Sequence, residues 1–168
     1  IKGSVSEARL YISSQGLYQA EINGKRVGNQ EFTPGWTSYN NRIQYQTYDI
    51  TDYLRASDNA IGILLGDGWC RGYLGWGSNR NVYGEKLAVI AQIRIKYNDG
   101  TIVYIGTDEN WKSSTGPILK SDIYNGETYD ARLEMAGWSL PGFDDNGWKG
   151  TKIMETAKTI LIAPQGPP

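Results

Sequence analysis

Asn23-Gly24 stands between two runs of extended character, Leu17–Ile22 and Lys25-Arg26-Val27, and that arrangement commits the chain to antiparallel β-structure. A two-residue hairpin turn needs positive φ at both central positions, which Gly adopts freely and Asn tolerates better than most residues. Around this turn the apolar residues follow a period of two. Ala8, Leu10 and Ile12 share one face of an opening strand, and Leu87, Val89, Ala91, Ile93 and Ile95 share one face of a later one. Asn98-Asp99-Gly100 then turns that later strand into a partner over residues 101–105.

Other segments fit the same plan. Residues 42–48 alternate and are expected to form one strand, with Asp49-Ile50 at its end and a single helical turn capped by Thr51. Ala60-Ile61-Gly62-Ile63-Leu64-Leu65 is nearly continuous in apolar character and predicts a central strand covered on both faces. Short strands are expected near residues 118–122, 128–133 and 159–163, with Trp111, Trp138 and Trp148 in the connections. Turns every 8–12 residues and almost no helical periodicity give an all-β fold, an antiparallel β-sandwich or jelly roll. Residues 1–163 read as one domain, and Pro164-Gln165-Gly166-Pro167-Pro168 as a Pro-rich linker to a further, downstream domain.

Two long stretches break the pattern. Residues 30–41 carry Pro34-Gly35 and the pair Asn40-Asn41, and residues 66–81 are rich in Gly and aromatic rings; both read as loops, the second too irregular for helix or ladder. In a sandwich, loops at one end lie side by side. Trp36, Tyr39, Trp69 and Trp76 could then stack on the apolar face of a sugar ring, while Asn40, Asn41, Asp67, Arg71, Asn79 and Asn81 hydrogen-bond its hydroxyls. The alternative is that residues 66–84 pack on a neighbouring domain.

Composition narrows the chemistry. The chain has no His, and Cys70 is its single cysteine, so imidazole bases, internal disulfides and thiolate zinc clusters are excluded, and carboxylates remain the acid–base groups. The 17 basic and 18 acidic residues nearly cancel, and no apolar run approaches the roughly 18 residues of a membrane helix. Neither a nucleic acid nor a membrane is an expected partner, and compartment is not assigned. Glu127 and Asp130 are the closest pair of carboxylates in a predicted strand. Alternation puts Glu127, Tyr129 and Ala131 on one face and Thr128, Asp130 and Arg132 on the other, which does not suit joint action on one glycosidic bond. Glu127, Asp130 and Arg132 are expected to serve an ion pair or a domain contact instead. Residues 143–148 read as an Asp/Asn turn anchored by Trp148.

Several segments together resemble the family known as the bacterial α-L-rhamnosidase N-terminal domain. They are Ile22-Asn23-Gly24-Lys25-Arg26-Val27-Gly28, Pro34-Gly35-Trp36-Thr37-Ser38-Tyr39, Gln44-Tyr45-Gln46-Thr47-Tyr48-Asp49-Ile50-Thr51, Leu65-Gly66-Asp67-Gly68-Trp69, Arg80-Asn81-Val82-Tyr83-Gly84-Glu85-Lys86-Leu87-Ala88 and Gly126-Glu127-Thr128-Tyr129-Asp130-Ala131-Arg132. The resemblance implies a galactose-binding-like jelly roll preceding the (α/α) catalytic barrel of an inverting glycoside hydrolase. It places the catalytic carboxylates in that barrel, so this chain is expected to be no enzyme by itself. Its expected partners are an L-rhamnose-containing glycan or glycoside and the catalytic domain of the same polypeptide. No cofactor is required; a calcium ion, as in a related rhamnose-binding module, is an expectation resting on the resemblance, with no ligands assigned. Three functions stand at this point: a rhamnose-binding module, a structural domain that buttresses the barrel, and an independent glycosidase.

Overall fold

The computed structural model describes residues 1, 3–155 and 160–165. Strand β1 (Val5–Gln15) pairs with β5 (Gln46–Asp49) on one side and β7 (Ala88–Tyr97) on the other, and β7 pairs in turn with β8 (Ile102–Gly106). All three pairings are antiparallel and build a four-stranded sheet in the order β5-β1-β7-β8. A smaller sheet, β3-β2-β6, contains β2 (Leu17–Ile22), β3 (Lys25–Arg26) and β6 (Ile61–Gly66).

The alternation read from the sequence is the alternation that packs. Ala8, Leu10 and Ile12 of β1 and Ala91, Ile93 and Ile95 of β7 face Tyr18, Ala20 and Ile22 of β2, forming one core between the two sheets. The chain crosses between sheets at Gly16, whose φ of 112° is open to few residues with a side chain. A Cβ there would also lie 2.5 Å from the carbonyl oxygen of Gly66. At the first hairpin Asn23 and Gly24 take φ of 53° and 78°, as a two-residue turn demands. The Asn23 amide fixes the turn to the fold, its Nδ2 donating to the Tyr53 carbonyl and its Oδ1 accepting from the Ala60 N–H.

Four expectations are corrected. Residues 42–48 form two short strands, because Tyr45 donates its N–H to Ile162: β4 (Ile43–Gln44) pairs in parallel with β13 (Leu161–Ile162), and only β5 joins β1. Thr51 begins its 3₁₀ turn rather than capping it, accepting from the Ala8 N–H while Asp49 accepts from its own N–H and hydroxyl. The apolar strand β6 is an edge, not a centre. Its Ile61, Ile63 and Leu65 pair with the inward residues of β2, but outward the only neighbour shown for Gly62 is the ring of Trp138, and Leu64 stays exposed. The segment beyond β6 also contains regular structure, a one-turn helix α1 (Gly68–Arg71) and a bridge between Tyr73 and Arg80.

The remaining strands form small pairs. β9 (Lys112–Ser113) pairs with β12 (Lys149–Gly150), and β10 (Ile118–Asp122) with β11 (Gly126–Tyr129). The ladder predicted over 128–133 stops at Tyr129, where Asp130 accepts the Arg132 N–H and caps a 3₁₀ turn, Ala131–Leu133. The expected turn at residues 143–148 forms, with Asp144 accepting from Asn146 and Phe143 edge-on to Trp148. Thr159, the expected start of the last strand, and residues 166–168 of the expected linker lie outside the described residues.

Candidate functional site

The two irregular segments meet, as a sandwich end requires. Trp36 of the first stacks on Trp69 of the second with ring centroids 5.9 Å apart and planes 6° from parallel, and Phe32 leans on the same Trp69 at 6.0 Å. The Trp36 indole N–H donates to the Tyr83 hydroxyl at 3.3 Å. Beneath them Tyr39, Ile43 and Cys70 form a second, smaller core.

That core decides which candidate residues are presented. Tyr39 is 2 % exposed, its ring against Tyr83 and its hydroxyl donating to the Gly35 carbonyl, so it supports the aromatic surface rather than forming part of it. Burial, reinforced by Cys70 and Tyr83, pushes its hydroxyl well above the usual tyrosine range. Asp67 and Arg71 are likewise engaged. Asp67 pairs with Arg80 at 2.6 Å and Arg71 at 3.3 Å, and Arg80 extends over the Tyr73 ring at 5.7 Å. These charges tie residues 67–80 into one body and are not open to hydroxyls. Trp36, Asn40, Asn41, Asn79 and Asn81 are exposed, with Asn41 also donating to Ser38.

Trp76 is 98 % exposed and stands apart from the Trp36–Trp69 stack. It lies at the edge of a cleft of about 490 Å³, whose first wall is Tyr73, Trp76 and Ser78 and whose second is Lys120, Tyr124 and Asn125. Asp122 joins the two walls. Its Oδ2 accepts the Tyr73 N–H at 2.8 Å, while Oδ1 accepts the Tyr124 N–H at 2.9 Å and the Asn125 N–H and Nδ2 at 3.0 and 3.1 Å. Burial pushes this carboxyl up, but the amides of Tyr73, Tyr124 and Asn125 outweigh it and hold the group below the ordinary range.

Of this cleft, the sequence reading named Trp76 and missed the second wall. A signal for it was present. Asn125-Gly126 between the apolar run at 118 and the alternating run at 126 is the same hairpin signature as Asn23-Gly24, and it places Tyr124 and Asn125 at a loop tip. Glu127, Asp130 and Arg132 lie away from the lining. Arg132 holds Asp130 through Nε at 2.8 Å and Nη2 at 2.6 Å, the ion pair expected of them, and Glu127 is exposed on β11.

The donor chemistry does not suit a metal. Asp67 and Asp122, the shielded carboxylates beside the cleft, are saturated by arginines and amides. Among the described residues no group of three or more Asp, Glu or Cys side chains converges. The calcium expected from resemblance therefore has no matching donor set, and no feature of the cleft depends on it. Nor, among the described residues, is any helix long and apolar enough to cross a membrane.

Residues 3–168 match the family described as the α-L-rhamnosidase N-terminal domain. A solved α-L-rhamnosidase from Aspergillus terreus superposes with a TM-score of 0.97 at 48 % identity, over 100 % of this chain and 20 % of that one. The Streptomyces avermitilis α-L-rhamnosidase, solved in complex with L-rhamnose, gives a TM-score of 0.86 at 46 % identity over 88 % of this chain and 14 % of its own. A curated α-L-rhamnosidase of Formosa agariphila is 39 % identical over 166 residues, 98 % of this chain and 18 % of that protein. The chain thus spans a fifth or less of the length of these relatives.

Proposed function

This chain belongs to the α-L-rhamnosidase N-terminal domain family, and from that premise we propose that it is the non-catalytic, carbohydrate-recognising part of a larger rhamnoside-cleaving glycoside hydrolase. On this reading the cleft between Trp76 and Tyr124 holds the rhamnosyl end of a glycan, and inverting hydrolysis belongs to the catalytic domain elsewhere in the parent polypeptide. The observation that carries the proposal is Trp76. An indole 98 % exposed gains almost nothing from the fold, yet it stands over a concave surface flanked by Ser78, Asn125 and a second open ring, Tyr124. A 6-deoxy sugar suits such a site: its methyl group and axial hydrogens give an apolar face to stack, and its hydroxyls meet the polar side chains.

The acid–base groups support a non-catalytic role. Glu31, Asp49, Asp99 and Asp130 are all held below the ordinary carboxylate range, by hydrogen bonds from Arg26, Thr51, Thr101 and Arg132 respectively, and Asp122 is low as well. A glycosidic general acid needs its carboxyl shifted the other way.

Calorimetric titration tests the reading. L-rhamnose and a rhamnosyl disaccharide are expected to give saturable heat with the chain, in calcium and in chelator alike, and galactose none. Trp76→Ala is expected to remove the heat and leave the thermal midpoint unchanged. Flat traces for every sugar would reject sugar recognition and leave a second reading, docking on the catalytic domain. That reading has its own support in β8. By register Val103 and Ile105 share the inward face of Ile95 and Ile93, yet they overhang the smaller sheet and are 37 % and 49 % exposed.

A further inference from the structure

The cleft contains one permanent charge, and the rest of the molecule leaves that charge uncompensated. Lys120 lies two residues before Asp122 on β10, so both side chains project from the same face of the strand. Asp122 uses that face to hold the Tyr73 N–H, which places Lys120 on the side where residues 73–78 come across, and the lysine lines the cleft with them. The other cation near this wall is already neutralised, since Arg80 is bound to Asp67 at 2.6 Å. Among the described residues no carboxylate oxygen lies within 4.0 Å of the Lys120 ammonium. Asp122 is the nearest carboxylate along the strand, and its oxygens are committed to four N–H donors.

An unpaired ammonium between two exposed aromatic rings discriminates among glycans. Stacking on Trp76 and Tyr124 accepts any sugar with an apolar face, whereas Lys120 adds attraction only for a unit that carries a negative charge. The net charge of −1 gives the chain no general field for anions, so this preference is local to the cleft. Resting on the reading of the cleft as a sugar site, we propose that it selects glycans in which the rhamnosyl unit is joined to a uronic acid, with Lys120 pairing to the uronate carboxylate. The lysine is a specificity-determining contact, and the rings supply the sequence-independent part of the grip.

Two disaccharides isolate the charge: α-L-rhamnosyl-D-glucuronic acid and α-L-rhamnosyl-D-glucose, which differ only in a carboxylate against a hydroxymethyl group. Exposed ion pairs of this kind are worth a few-fold in affinity, and salt screens them. At low ionic strength the acidic disaccharide is expected to bind about three- to fivefold more tightly than the neutral one. The preference should collapse at high salt, and Lys120→Met should equalise the two ligands while leaving the affinity for the neutral one unchanged. Equal binding of both disaccharides by the unmodified chain would overturn the proposal and leave the cleft a neutral-sugar site. A preference that survives Lys120→Met would also overturn it, by assigning the selectivity elsewhere. Heat from neither disaccharide would overturn the reading of the cleft itself, and this inference with it.

Discussion

Replacing Asp122 by Asn keeps the side chain's shape and removes one acceptor, and the consequence follows from which oxygen serves which wall. Three donors of the hairpin, the N–H groups of Tyr124 and Asn125 and the Asn125 amide, converge on Oδ1, while Oδ2 serves Tyr73 alone. The amide oxygen of Asn will therefore stay with the hairpin, because the flipped orientation would set an NH₂ group against three donors. Its Nδ2 then meets the Tyr73 N–H, donor against donor, and residues 73–78 lose their tether. One hydrogen bond to a partly shielded carboxylate is worth about 1–2 kcal/mol after allowing for solvent. With a slope near 2 kcal/mol per molar, the urea midpoint should fall by about 0.5–1 M at pH 7.

Acid gives an independent check of the same carboxylate. The folded pKa of Asp122 lies below its ordinary 3.8, so the unfolded chain binds the proton more readily. The contribution of Asp122 to stability is then complete above about pH 4 and is lost as pH falls through the lower folded value. In Asp122→Asn that part of the acid dependence should vanish, leaving a flatter profile below pH 4. Urea titration followed by tryptophan emission at pH 7 and at several acidic values measures both effects. An unchanged midpoint at pH 7 with an unchanged acid slope would refute the role of Asp122 as the link between the walls.

Two further tests address the packing. A Cβ at Gly62 would run into the Trp138 ring, so Gly62→Ala should cost about 1–3 kcal/mol by urea unfolding. Adding Trp138→Ala should then cost clearly less than it does in the unmodified chain, and strict additivity would show that the two do not touch. Cys70 is fully buried, and burial pushes its thiol up, so a thiol reagent at pH 7 should label the native chain far more slowly than the urea-unfolded one. Rapid native labelling would place that residue outside the second core.

Legibility followed distance along the chain. Ala8, Leu10 and Ile12, the Asn23-Gly24 turn and the Asn98-Asp99-Gly100 turn were readable because period and turn chemistry act within a few residues. The place of β6 was not. An apolar run reports burial, but sheet order depends on which strands arrive beside it, and here the outer cover at Gly62 is one indole from 76 positions later, not a strand. The aromatic loops were located correctly but not sorted. Nothing in the local sequence separates Tyr39, sealed over Cys70, from Trp36, left half open, because the difference comes from Tyr83 and the second core. The second wall of the cleft escaped for the same reason, since it joins the first through a bond spanning 49 residues.

That one carboxylate bond has an evolutionary side. The contact residues Trp76, Lys120 and Tyr124 all sit outside both cores, and the geometry that brings them together is carried by Asp122 and main-chain amides rather than by their own packing. Their identities can drift, or be randomised in a library, without passing through the constraint that keeps Leu10 or Ile22 fixed. Such a framework lets a lineage change the saccharide it holds while inheriting its sandwich intact, so ligand preference is free to diverge faster than fold.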